Sequence, residues 1–124
     1  MNKVYSFEVS VVGTDWSRVI NAHSRGKAKY EYWWDTQDWY PNLSFTALRC
    51  RKLGAAQTPD GFKRTAAYRG MPDVRCGQRV QVGDGLGVIV GHNSSANFDV
   101  LFDEDSPEYA GLKLNVHPAS IKLV

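Results

Sequence analysis

Apolar and polar residues alternate from near the start of the chain. Tyr5, Phe7, Val9 and Val11 fall on one face and Ser6, Glu8 and Ser10 on the other. That period of two is the mark of a half-buried strand. Gly13-Thr14-Asp15 reads as a turn, and residues 17 to 22 as a returning strand. Ser24 supplies a hydroxyl that can accept from free backbone amides in a first helical turn. A helix is predicted from about Arg25 to Trp34 or slightly beyond, with Ala28, Tyr32 and Asp35 or Trp39 along one side. Pro41-Asn42 ends it. From Ser44 to Leu53 the alternation returns, with Phe45 and Ala47 opposite Thr46, Leu48 and Cys50, which predicts a third strand. Residues 1–53 therefore predict a ββαβ lobe, a small antiparallel sheet with one helix on a face.

Residues 54–77 are rich in Gly, Ala, Pro and Arg and read as a basic connector. Phe62 to Tyr68 suits a short helix, closed by Arg69-Gly70-Met71-Pro72. From Gln78 the period of two resumes. Val80 and Val82 share a face, Gly83-Asp84-Gly85 is a tight turn, and Leu86 to Val90 is an apolar strand in which Gly87 leaves room for a bend. Phe98, Val100 and Phe102 alternate with Asp99 and Leu101, and Leu112, Leu114 and Val116 with Lys113 and Asn115. His117 to Ser120 has the length of one 3₁₀ turn, with the His117 ring nitrogen placed to orient it, and Ile121 to Val124 makes a last strand. Residues 78–124 are thus expected to close as an SH3-like five-stranded β-barrel. The fold class expected for the whole chain is α+β, with the ββαβ lobe packed with that barrel.

A chain of 124 residues, 43% hydrophobic and 23% charged, has the composition of a globular protein and enough length to bury a core without a metal or disulfide staple. No run reaches the roughly 18 apolar residues of a membrane span, and the first residues lack the apolar core of a signal peptide. Cys50 and Cys76 are read as two reduced thiols. The expected location is the cytoplasm, or host cytoplasm if the protein is viral. A net charge of +2 hides a division along the chain. Residues 1–48 carry five basic and five acidic side chains, residues 49–79 eight basic against two acidic, and residues 80–124 two basic against six acidic.

Two resemblances follow from these residues. Gly77-x-x-Val80-x-Val82 followed by Gly85-x-Gly87-Val88-Ile89-Val90-Gly91 resembles the opening of KOW-type SH3-like modules, which bind RNA, DNA or proteins. Four further stretches, from Ser24 to Tyr30, Arg49 to Gly54, Ser95 to Asp103 and Leu114 to Pro118, resemble small phage and prophage proteins. That second resemblance implies a viral or mobile-element origin, action on host machinery or a defence complex, and no nameable enzymatic activity.

The chemistry-bearing residues point the same way. His23, His92, His117, Cys50 and Cys76 show no zinc spacing, and Asp103-Glu104-Asp105 lacks an EF-hand pattern and reads as a solvated loop. No metal and no cofactor are expected. Gly83-x-Gly85-x-Gly87 lies between strands, whereas a phosphate-binding glycine motif opens a helix. There is no Gly-x-Ser-x-Gly elbow, and Arg75 and Arg79 beside Cys76 are the one hint of an activated thiol. The expected function is therefore non-catalytic binding of a host protein. One helix cannot bury rings around its whole circumference against three strands. Tyr30, Trp34, Trp39 and Tyr40 are the candidate protein-binding residues, with core the expected place for one of Trp33 or Trp34. The alternative is RNA or DNA binding by Arg49, Arg51, Lys52, Lys63, Arg64 and Arg69, with Phe62 and Tyr68 placed to stack on bases. In the competing reading, this basic segment simply faces the acidic end of the chain.

Overall fold

The computed structural model describes residues 3–124; Met1 and Asn2, at the head of the expected 1–53 lobe, lie outside them. The protein is α+β, with two α-helices and two antiparallel sheets among the described residues. It divides into two units, residues 4–55 and residues 56–124, the latter joined by Lys3. No helix among the described residues is long and apolar enough to cross a membrane.

In the first unit, β1 (Tyr5–Val11) is central, flanked by β2 (Ser17–Ala22) and β3 (Leu48–Ala55). The register places Phe7 opposite both Ile20 and Lys52. Phe7, Val9 and Val11 are buried, as the alternation requires, and meet Ala28 and Tyr32 of α1 (Arg25–Thr36) with Leu43 and Leu48. Each such large side chain contributes about 1.5–3 kcal/mol on burial. Ser24 caps α1 by accepting from the Lys27 amide at 3.2 Å. The expected strand from Ser44 starts late. The Ser44 hydroxyl accepts from the Thr46 amide, so Phe45–Ala47 forms a 3₁₀ turn and the strand begins at Leu48.

In the second unit, the segment read as a connector is part of the core. α2 (Asp60–Tyr68) presents Phe62 and Ala66, one turn apart, and both are fully buried with Val74, Val80, Ile89, Phe98, Val100 and Phe102. Met71 N–H reaches back to the Ala66 carbonyl at 2.8 Å, and Gly70, at φ +72°, makes that helix-ending turn possible. Five strands follow: β4 (Arg79–Val82), β5 (Gly85–His92), β6 (Phe98–Phe102), β7 (Lys113–Val116) and β8 (Lys122–Leu123). Their order is β7-β6-β5-β4-β8, and the sheet is open, so the expected closed barrel does not form. β8 is two residues long and its ladder is spent on β4, which leaves nothing to reach the far edge at β7. Gly87 does make the expected room. A Cβ there would lie 2.7 Å from the Leu101 carbonyl oxygen of the neighbouring strand. His117 accepts the Ala119 amide on Nδ1 at 3.0 Å and so caps the 3₁₀ turn Pro118–Ser120.

Candidate functional site

The first unit carries a surface of exposed rings beside carboxylates. Trp16 sits on the turn between β1 and β2. Gly13, at φ +78°, turns the chain, and Thr14 fixes the turn by donating to the Val11 carbonyl and accepting the Trp16 amide. Trp39 and Tyr40 follow α1, both held by backbone bonds to the Thr36 carbonyl. Trp39 thereby meets Trp16 edge to face at 5.1 Å between centroids, and Tyr40 meets Trp16 at 5.5 Å. Trp16 is 44% exposed and Trp39 57%. Farther along, Tyr30 stacks on Trp34 at 6.3 Å, and these are 56% and 63% exposed.

Arg18 joins the two groups of rings. Its guanidinium donates to Asp35 at 2.8 Å, lies 3.8 Å from Glu31, and sits over the Tyr32 ring at 5.5 Å. Glu31 and Asp35 are four residues apart on α1, which puts both on one stripe facing β2. Two open clefts share Arg18 and Asp35 as a border. One, of about 370 Å³, is walled by Trp16 and Trp39 with Asp15 at its rim; the other, of about 430 Å³, by Trp34 with Asp38. Asp15, Asp35 and Asp38 thus line the clefts, with Glu31 beside Arg18, and among the described residues Arg18 is the one cation in either lining.

Among the expected protein-binding residues, Tyr30, Trp34 and Trp39 are exposed, while Tyr40 packs partly on the core. Trp33, not Trp34, turns inward, its indole N–H donating to the Leu43 carbonyl at 3.0 Å. No periodicity marks Trp16 or Arg18 in the sequence, although a Trp just after a Gly-Thr-Asp turn is a signal for the first. The expected nucleic-acid set is divided, with Arg49, Arg51 and Lys52 in the first unit and Lys63, Arg64 and Arg69 in the second. Arg49 and Arg51 alternate on β3, but Arg51 pairs with Glu8 at 3.0 Å and Lys52 lies over the Tyr5 ring at 3.7 Å. Arg69 is a clamp: it donates to the Ala96 and Ser95 carbonyls and to Asn97, and so holds the loop between β5 and β6. Lys63 and Arg64 are exposed on α2. Phe62 is buried in the core and so cannot stack on a base; Tyr68 is exposed.

The expected solvated acidic loop is anchored at one end. Asp103 is buried and forms a two-pronged pair with Arg79 at 2.8 and 2.6 Å, which raises the arginine pKa chiefly through that hydrogen bond. Neither Cys50 nor Cys76 is in a disulfide. Cys76 is buried in the second core, and burial pushes the Cys50 thiol pKa up, opposed by Arg25 and Lys29. Among the described residues no group of three or more His, Cys, Asp or Glu side chains is placed to hold a metal ion. No family model, curated protein or solved structure matches this chain.

Proposed function

We propose that this chain is a non-catalytic binding protein that holds a protein partner on the aromatic face of α1 and the β1–β2 turn. One observation carries the reading: Trp16, Tyr30, Trp34 and Trp39 are displayed together on a unit whose core is already filled by Phe7, Val9, Ile20, Tyr32 and Leu48. Exposed Trp and Tyr in a cluster supply large, rigid contact area at low entropic cost, which is why they dominate interface energetics. The thiols support the non-catalytic part, since Cys76 is buried and burial pushes the Cys50 pKa up, away from an activated thiolate. The sequence resemblance to small phage proteins supports a host protein or defence complex as the partner, in host cytoplasm. The strand order β7-β6-β5-β4-β8, with a 3₁₀ turn before the last strand, supports reading the second unit as an SH3-like module whose sheet is open.

The test is capture from nuclease-treated host lysate, followed by titration of the purified captured protein. The double variant Trp34→Ala/Trp39→Ala should lose the interaction while keeping its circular dichroism spectrum. Retention of full affinity by that variant would overturn the reading. Nucleic-acid binding stays as the second reading because Lys63 and Arg64 are exposed on one helix and Arg49 and Arg51 on one strand face. It requires a mobility shift at low salt that fades steeply with added salt and is abolished by Arg49→Glu/Arg51→Glu.

A further inference from the structure

We propose that this face takes a basic segment of its partner, and that an arginine or lysine of that segment seats in the cleft walled by Trp16 and Trp39 with Asp15 at its rim. The inference rests on the protein-binding reading and adds the chemistry of the occupant. Charge is the first argument. Asp15, Asp35 and Asp38 line the clefts, and among the described residues Arg18 is the one cation in either lining. Arg18 is already committed to Asp35 and Glu31. Asp15 and Asp38 form no ion pair among the described residues, so each cleft has one carboxylate left unneutralised.

The rings are the second argument. A π face attracts a cation and repels an anion. Within this same unit the chain places its own cations on rings: Arg18 over Tyr32 at 5.5 Å, Lys29 over Phe45 at 4.9 Å and Lys52 over Tyr5 at 3.7 Å. Trp16, Trp34 and Trp39 are exposed, and among the described residues none of them holds a cation. Trp16 and Trp39 touch edge to face, so a cation would lie on their open faces and not between them. A phosphate or a carboxylate would meet the unneutralised Asp15 and the ring faces, and Arg18 has no charge to spare for it.

Shape decides between a free small molecule and a side chain of a larger partner. The cleft of about 370 Å³ is open to solvent on one side. Small-molecule sites enclose most of their ligand. An open cleft of this size suits one long side chain whose backbone stays outside, with the Trp34 cleft next to it for a second.

The test uses the full chain and four fluorescein-labelled peptides, in which serine alternates with arginine, lysine, glutamine or glutamate. Fluorescence anisotropy at low salt should show the arginine peptide binding at least about tenfold tighter than the glutamine peptide, with no binding of the glutamate peptide. Asp15→Asn and Trp39→Ala should each weaken the arginine peptide about three- to tenfold. Asp15 lies on an exposed turn, so its variant keeps the fold. If glutamine and arginine peptides bind equally and Trp39→Ala weakens both, the basic-segment inference fails while protein binding stands. Should no peptide bind, with the partner captured from lysate still losing affinity in Trp34→Ala/Trp39→Ala, the inference again fails alone. When that double variant also keeps full affinity for the captured protein, both fail. Sedimentation equilibrium adds the remaining occupant: self-association that Asp15→Asn abolishes would identify a second copy of this chain, whose residues 49–79 are basic, and would overturn a foreign segment.

Discussion

The two units place their bulkiest rings differently. In residues 56–124 the phenylalanines are interior: Phe62, Phe98 and Phe102 are fully buried, with Phe62 and Phe98 in ring contact at 5.2 Å. In residues 4–55 the core is built largely from Phe7, valines, Ile20, Leu43, Leu48 and one Tyr, while three tryptophans and Tyr30 face solvent. Burying a large ring is among the strongest stabilising terms open to a small fold, and the first unit forgoes it for Trp16, Tyr30, Trp34 and Trp39. Rings left outside a satisfied core are contributing to something other than folding. The comparison thus assigns stability to the buried phenylalanines of the second unit, where Tyr68 and Tyr109 are the exposed rings, and recognition to the exposed tryptophans and Tyr30 of the first.

The largest effect that can break this contrast comes from truncating one ring in each unit. Phe98→Ala should cost about 3–5 kcal/mol in urea unfolding, because it empties a closed core. Trp39→Ala should cost about 1 kcal/mol or less, the worth of its edge contact with Trp16, yet it should weaken partner binding. If Trp39→Ala destabilised the chain as much as Phe98→Ala, the displayed rings would be structural and the proposed interface would lose its basis.

The contrast was only half legible in the sequence. The strands of both units follow from the period of two, and the elements from β4 onward lie within a few residues of their expected bounds. α2 was readable too, since Phe62 and Ala66 are spaced for one helical face, but the glycines and prolines around them gave it the look of a linker. Other features depend on long-range geometry. Trp16 meets Trp39 only because the register of β1 and β2 brings their turn beside the end of α1. Arg69 grips a loop 26–28 residues away, which no local pattern announces. Phe45 left its expected strand because one serine hydroxyl captured a nearby amide. Whether five strands close depends on edge pairing, which alternation within each strand does not encode.

Glycines sharpen the comparison at smaller cost. Gly87→Ala should destabilise by about 1–3 kcal/mol, since its Cβ would meet the Leu101 carbonyl at 2.7 Å and Val100 Cγ1 at 3.0 Å. Gly26→Ala should instead stabilise, by a few tenths to about 1 kcal/mol, because a Cβ there meets nothing within 4 Å and alanine is the better helix former. Opposite signs in the unfolding midpoints are the expected result. A destabilising Gly26→Ala would mean that the exposed start of α1 is more constrained than its surroundings indicate.

The smallest effect separates the units through their thiols. Cys76 lies in the closed core and should react with iodoacetamide only when that unit opens. Cys50, half-buried on β3, should react without unfolding but more slowly than a free thiol at the same pH, because burial raises its pKa against the pull of Arg25 and Lys29. The sign of the stability change follows from the same shift. In the unfolded chain Cys50 ionises near the ordinary thiol pKa of about 8.5. In the folded chain it ionises at higher pH, so the unfolded state loses its proton first. Stability should be unaffected by this group at neutral pH and should fall as pH rises past that ordinary value towards the folded pKa. Added salt screens Arg25 and Lys29 and should raise the folded pKa further. The difference in unfolding free energy between the native chain and Cys50→Ala, followed from neutral to alkaline pH, checks it: a difference that stays constant, or that moves in favour of the native chain, would mean the thiolate is accommodated and that β3 is more open to water than its packing shows.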